Sequence, residues 1–465
     1  MKKDGIILRR EKRGGDRKGI RFEAGRPDPP RGWKTRKERR RKMKKTWRMV
    51  YVTVGVFLWF SAFPAAGAWA ADPVRIGAIY PLTGPAASTG AEMTDAITLA
   101  VDIINGKYDL DLPLARTEGL PNLKGATIKV IFADHQGKPD IGQAEAERMI
   151  TTEKVAALMG CYYSSVTTTA SIAAERHKIP FLNPESTDPK LTERGFRYFF
   201  RTTPFDDPFA ENFFQFLDDM KKKKKVKIDS VAIVHENTSF GMGVLVSEKK
   251  YAEKYGYKVV AEIMYAEKAT SLVSEVQKLR ASGADVVMPA SYTADAILYM
   301  KTFKDLRYMP QAILAMDAGY IAEDYRKTLG KDGEYVLSRE VWALDLAKKK
   351  PMIATVNEIY KKRFGRDMNG NSARSFTGMM VLADAINRAG STDSEKIREA
   401  LEKYTLSGDN MIMPWEGVAF DAKTHQNTKG RGIIVQLIDG QFHTVWPFEL
   451  ASRDVIWPIP AWDKR

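Results

Sequence analysis

Val155–Ser165, VAALMGCYYSS, runs from an apolar stretch through one glycine into a cluster of rings and hydroxyls. Val155–Gly160 reads as a buried strand. Ser165–Arg176, with apolar residues three to four apart, reads as the helix behind it. A strand that hands a short polar loop to a helix is the unit of a parallel sheet, because parallel neighbours need a crossover and a helix supplies it.

The same unit recurs on both sides. Val74–Tyr80, Thr127–Asp134, Ile179–Asn183, Ser230–His235, Tyr257–Tyr265, Val286–Ala290 and Ala312–Met316 read as buried strands. Gly90–Ile104, Ile141–Thr151, Gly241–Tyr255, Leu272–Ala281 and Thr293–Leu306 carry helical spacing between them. Helices at Met352–Phe364, Ser372–Arg388 and Ser394–Tyr404 come next, then strands at Gly432–Ile438 and His443–Trp446. Roughly a dozen strands exceed one comfortable open sheet, so the fold class is α/β with two parallel-sheet lobes. Phe200–Pro208 and Leu337–Trp342 break the rhythm and are the expected crossovers. The predicted division is a leader over 1–71, a first lobe over 72–202 plus 339–442, and a second over 203–338 plus 443–465.

Charge separates the leader from the rest. Met1–Arg48 holds 21 Lys+Arg against 6 Asp+Glu, the whole net charge of +15, and the remainder is balanced at 52 of each. Met49–Ala71 has no charged residue. Lys44, Lys45 and Arg48 precede an apolar run, and Ala68-Trp69-Ala70 has the small-x-small form of a signal-peptidase site. Cleavage after Ala70 or Ala71 is expected, with an uncut membrane anchor as the alternative. Met43-Lys44-Lys45 also has the form of a signal-peptide start. These features predict an exported, extracytoplasmic protein. Nucleic acid is not an expected partner, because the basic arm is removed or held at the membrane. The one cysteine, Cys161, excludes an intramolecular disulfide and leaves no lipobox. The run Lys221–Lys225 is read as a solvated helix end.

Enzyme and cofactor signals are missing. The five histidines, at 135, 177, 235, 425 and 443, have no partners at metal-ligand spacing, and no phosphate loop or nucleophile elbow is present. Gly241-Met242-Gly243 with Glu262 imitates a dinucleotide fingerprint, but Val246 stands where the third glycine belongs. No cofactor, no metal and no catalytic residue are expected.

What remains is a set of strand ends, where open α/β sheets bind ligands. Val155–Gly160 delivers Tyr162, Tyr163, Ser164 and Ser165 to a helix start, which suits a carboxylate. Ile179–Asn183 delivers Glu185, Ser186 and Thr187. Val286–Ala290 ends in Ser291-Tyr292, and Ala312–Met316 in Asp317. Together they suit a zwitterion, with hydroxyls and amides for its carboxylate and Asp317 beside a tyrosine face for its ammonium.

The chain resembles the leucine/isoleucine/valine-binding family, the type I periplasmic solute-binding proteins of ATP-binding-cassette importers. The resemblance rests on Ile76-Gly77-Ala78 before Leu82-Thr83-Gly84-Pro85, on Gly90 and Ala100–Asn105, and on Pro184–Thr192 (PESTDPKLT). Phe200-Arg201-Thr202-Thr203, Val231–Val234 with Phe240-Gly241, and Phe420-Asp421 extend it. It implies two Rossmann-like lobes joined by a three-strand hinge, with a ligand clamped between them. It implies that Ser164 and Thr187 bind an α-carboxylate and that the backbone carbonyl of Glu185 helps hold the ammonium. Tyr292 and Asp317 would close from the second lobe, and Thr89 would line the cleft. Tyr163 replaces the family's usual disulfide cysteine, and with Tyr162 it crowds the side-chain pocket. Asp317 is one methylene shorter than the usual glutamate.

The expected function is therefore a monomeric receptor that delivers a branched-chain amino acid, or a related small amino acid or amide, to a membrane permease. A ligand-sensing receptor domain is the alternative. Such receptors continue into a membrane span and a signalling module, and with neither before Arg465 the sequence favours transport. Asp317→Ala is expected to weaken binding more than tenfold while the fold survives.

Overall fold

The computed structural model describes residues 71–465, so the leader and its cleavage site lie outside the described residues. The first sheet is built from β1 (Val74–Tyr80), β2 (Ile128–Asp134), β3 (Ala157–Gly160), β4 (Phe181–Asn183) and β5 (Phe199–Arg201). All pair in parallel, in the order β2-β1-β3-β4-β5. Helices α1 (Ala87–Asn105), α2 (Pro139–Thr151) and α3 (Ser164–Arg176) make the crossovers. Because both faces are covered, the central strands are apolar throughout rather than alternating. β3 and β4 are buried at every residue.

Helix α4 (Asp206–Lys224) leads into the second sheet, formed by β6 (Ser230–Glu236), β7 (Lys258–Tyr265), β8 (Val286–Ala290), β9 (Ala312–Ala315) and β10 (Leu337–Glu340). Between them run α5 (Ser239–Tyr255), α6 (Val273–Ser282), α7 (Thr293–Asp305) and α8 (Glu323–Leu329). The chain then adds α9 (Met352–Phe364), α10 (Gly370–Ala389) and α11 (Ser394–Glu402). Of these, α10 packs against α1 on the first lobe. A two-stranded ribbon, β11 (Thr405–Ser407) with β12 (Gly417–Ala419), comes after them. The last strands, β13 (Ile433–Ile438) and β14 (Gln441–Trp446), close the second sheet in the order β14-β13-β10-β9-β8-β6-β7.

That order moves two of the expected boundaries. Arg339 and Glu340, and the whole of β13, are expected from the sequence in the first lobe. They belong to the second sheet, where β13 runs antiparallel between β10 and β14. The alternation of strand and helix says that a strand exists, not which sheet edge it completes. Leu337–Trp342, expected as a bare crossover, begins as a strand for the same reason.

Three segments cross between the lobes: Thr202–Phe205, the stretch after Glu340, and the stretch leading from Asn427 to β13. The first and third are hydrogen-bonded side by side. The Asn427 amide donates to the Arg201 carbonyl at 2.8 Å, and the Gln426 side-chain amide donates to the Thr203 carbonyl at 2.7 Å. Arg201 itself is fully buried and donates to Gln426 Oε1 at 2.5 Å, the Asp188 carbonyl at 2.7 Å and Thr192 Oγ1 at 2.8 Å. One guanidinium thus ties the PESTDPKLT loop to two hinge segments, which suits its fork of fixed donors.

Candidate functional site

The β3–α3 loop is held from beneath. Tyr162 has a left-handed backbone (φ +77°), uncommon for a ring-bearing residue. The Cys161 amide donates to Thr167 Oγ1 at 3.0 Å, and Ser186 Oγ donates to the Tyr162 carbonyl at 3.0 Å. Burial lowers the pKa of His135 to about 4, leaving the ring neutral. Its Nδ1 accepts from the Gly137 amide at 2.9 Å, so Nε2 carries the proton to the Cys161 carbonyl, also 2.9 Å away. His135 is thus a structural prop.

Helix α3 then starts at Ser164 with no side-chain cap. Its first amides have no acceptor within the helix, and Ser164 and Ser165 stand among them. Ser164 is buried and Ser165 half-buried. Beside this helix start, Asn183 Oδ1 accepts the amides of Glu185 and Ser186 at 3.1 and 2.9 Å. This turn shapes the loop that carries Thr187, also buried. Helix α10 comes close enough that a Cβ on Gly378 would lie 2.8 Å from Pro184 Cβ, so only glycine lets the helix back this loop.

The second lobe brings Tyr292, at the start of α7, against these residues. The Tyr163 and Tyr292 rings lie 4.1 Å apart with 33° between their planes, and Tyr162 is 5.6 Å from each. Thr89 Oγ1 meets Thr293 Oγ1 at 3.3 Å. The loop after β9 seats directly on Tyr292, where a Cβ on Gly319 would lie 2.4 Å from the Tyr292 carbonyl carbon. The Tyr162 hydroxyl is buried without a hydrogen-bond partner. Tyr162 and Tyr163, after β3, thus meet Tyr292, after β8 in the second lobe, while Ser164 and Thr187 lie buried on the adjoining loops after β3 and β4.

Two of the expected residues have other attachments. Asp317 is engaged by arginines: Arg339 Nη1 lies 2.6 Å and Arg374 Nη2 3.0 Å from its Oδ2, while Oδ1 accepts the Ala318 amide. All three side chains are 3% exposed or less. Asp317, expected from the sequence to face an ammonium, is thus already paired with two buried guanidiniums, because a buried charge takes the nearest counter-charge and here two lie within reach. Glu185, expected to act through its carbonyl, also buries its side chain. Its Oε1 accepts from the Tyr80 hydroxyl at 3.0 Å and from Ser375, its Oε2 has no partner, and burial pushes its pKa up to about 7.

Arg339, Arg374, Glu340 and Tyr80 are not among the residues that the sequence motifs single out. Glu340 accepts from the Val341 and Gly370 amides at 2.8 and 3.2 Å, and burial pushes its pKa up to about 7. A charged residue inside an apolar strand or helix is the available signal: Arg339 interrupts β10, and Arg374 lies on a helix whose residues from Gly370 to Ile386 are all buried.

Two lobes around a sheet-end crevice define a type I periplasmic binding protein. The periplasmic binding protein family model matches residues 73–441, and the chain belongs to that family. It is 27% identical over 411 residues to Leu/Ile/Val-binding protein homolog 7 of Brucella suis, covering 86% of this chain and 97% of that one. Homolog 8 of the same organism is 28% identical over 412 residues, covering 86% and 96%. The fold is similar to the leucine-binding protein LivK of Thermotoga maritima, with TM-score 0.68 and 21% identity over 80% of this chain and 97% of that one. It is also similar in fold to a Rhodopseudomonas palustris solute-binding protein in complex with benzoate, with TM-score 0.67 and 15% identity over 84% and 97%. These relatives are binding proteins, and the resemblance read from the sequence holds: this chain binds a solute and is not an enzyme.

Proposed function

We propose that this protein is the extracytoplasmic substrate-binding component of an ATP-binding-cassette importer, and that it carries a small carboxylate-bearing metabolite between its lobes. The observation that carries this reading is the meeting of Tyr163, at the uncapped start of α3, with Tyr292 of the opposite lobe, with Ser164 and Thr187 buried on the adjoining loops. Hinge closure around such a set desolvates a charged ligand among fixed partners, which is how two-lobed binders gain specificity. The ligands named with its structural relatives, isoleucine in one and benzoate in another, share a carboxylate. Amino acids, their amides and simple organic acids are the candidates. The partners are the ligand and a membrane permease, and the binder works as a monomer after signal-peptide removal.

Mass spectrometry of small molecules retained by the purified protein, with a thermal-shift screen of those candidates, tests the reading. A retained or stabilising carboxylate whose effect is lost in Ser164→Ala supports it. A ligand indifferent to Ser164, Thr187 and Tyr292 removes it. Amino-terminal sequencing of exported protein beginning near Asp72 would establish the cut.

A further inference from the structure

We propose that Glu92 is a positioning residue for lobe closure, a latch that sets the affinity for every ligand by one common factor without touching any of them. The inference rests on the reading of the protein as a hinged binder. Thr89 and Glu92 lie one turn apart on one face of α1, 0% and 2% exposed, and both reach the second lobe. Thr89 meets Thr293, the residue after Tyr292. Glu92 Oε1 accepts the backbone amide of Glu323, the first residue of α8, at 3.0 Å. That amide has no acceptor within its own helix, so the bond across the lobes is its match. Glu323 stands six residues after Asp317, at the end of the segment that seats on Tyr292.

The first lobe holds Glu92 ready for this contact. Its Oε2 accepts from Asn369 Nδ2 at 2.7 Å, and the Asn369 orientation is fixed because its Oδ1 accepts the Ser372 amide at 3.0 Å. The Tyr360 hydroxyl donates to the Glu92 carbonyl at 3.0 Å. Beside it, Arg366 pairs with Asp95 of α1 and lies 3.7 Å, Nη1 to Oε2, from the Glu323 side chain, whose other oxygen pairs with Lys327 at 2.8 Å. One Glu92 oxygen is therefore committed to its own lobe and the other to the opposite lobe. A bond from an amide to a carboxylate is roughly twice as strong as one between neutral groups. Made only when the lobes are together, it raises the closed fraction, and a change in that fraction alters every apparent affinity by the same factor.

Calorimetric titration of the ligand-stripped chain with L-leucine, L-isoleucine and benzoate, together with small-angle X-ray scattering, tests the latch. Glu92→Gln keeps the shape but turns an NH2 toward one of the two donors. It is expected to weaken each ligand that binds by about tenfold, with the ratios between ligands unchanged, and to enlarge the radius of gyration of the ligand-free chain. Glu323→Pro deletes the donated amide at the first helical position, where proline fits, and Glu323→Ala removes the side chain alone. The proline variant is expected to bind more weakly than the alanine one, and adding Glu92→Gln to it to cost little more. This pair decides the matter even if Glu92→Gln does not fold. Unequal losses among the ligands would make Glu92 a ligand contact, and a lower Tm with affinity and scattering unaltered would leave it a structural prop; either result overturns the latch. If no member of the panel binds, the carboxylate reading of the crevice fails and scattering from the ligand-free variants decides the latch alone, an unchanged radius overturning it.

Discussion

Arg374 on α10 of the first lobe and Asp317 after β9 of the second lie 3.0 Å apart, Nη2 to Oδ2, both almost wholly buried. Arg339 shares the same carboxylate oxygen and covers the Phe209 ring at 3.7 Å. An ion pair out of water gains little net stability over an apolar replacement, yet loss of one partner strands the other. The triad therefore makes lobe closure depend on Asp317.

Asp317→Ala is accordingly expected to lower the stability of the fold by about 3–5 kcal/mol, since two buried guanidiniums lose their counter-charge. Urea unfolding measures this. A change below about 1 kcal/mol would return Asp317 to the role of a ligand contact alone.

Ser164→Ala and Thr187→Ala are each expected to weaken carboxylate binding by about 1–3 kcal/mol without moving the unfolding midpoint by more than a little. Paired titrations and melts on the two variants check this. Unaltered affinity in both would show that neither hydroxyl reaches the ligand.

Stability should fall as pH rises through the neutral range. Burial pushes the carboxyls of Glu185, Asp206, Glu236 and Glu340 up to about 7. Between the ordinary carboxylate range and about 7 the folded chain holds protons at these groups that the unfolded chain has released. Their contribution is fully present below the ordinary range and is lost on passing about 7. Glu395, held near 2 by Arg398 and Tyr198, acts in the opposite sense but matters only in acid. The histidines that burial lowers, His135 to about 4 and His235, His425 and His443 with it, also act in the opposite sense to the raised carboxyls, up to their ordinary value of 6.5. Melting curves should therefore show a Tm that declines from pH 6.5 to 8, and Glu185→Gln should flatten the decline. A Tm that rises over that interval contradicts the assignment.

Cys161 should be inert in the folded protein. It is wholly buried, and burial pushes its thiol far above the ordinary range. Iodoacetamide is expected to label it only at the rate of unfolding. Prompt labelling under native conditions would mean that the β3–α3 loop opens.

Much of the fold was legible because parallel α/β units write themselves into sequence twice, as apolar runs and as helical spacing. VAALMG and the run to Arg176 became β3 and α3 with the starts shifted by two residues and one. The lobe assignment of β13 was not legible. Its apolar residues suit a strand in either sheet, and only the antiparallel partners β10 and β14 choose between them. In the site, hydroxyl-rich loops after strands advertised Ser164, Thr187 and Tyr292. Arg374 lies 57 positions after Asp317 on a helix of the other lobe, and no local pattern joins the two.

The order of residues by itself determined that there are two α/β lobes, that the strand ends carry the hydroxyls and rings, and that catalytic motifs are missing. Those properties are local, set by periodicity and by the residues just past each strand. Tertiary structure alone decided which charges meet. Folding brought Arg339 and Arg374 onto Asp317, and the strength of a buried charge depends on distances that separation along the chain does not encode.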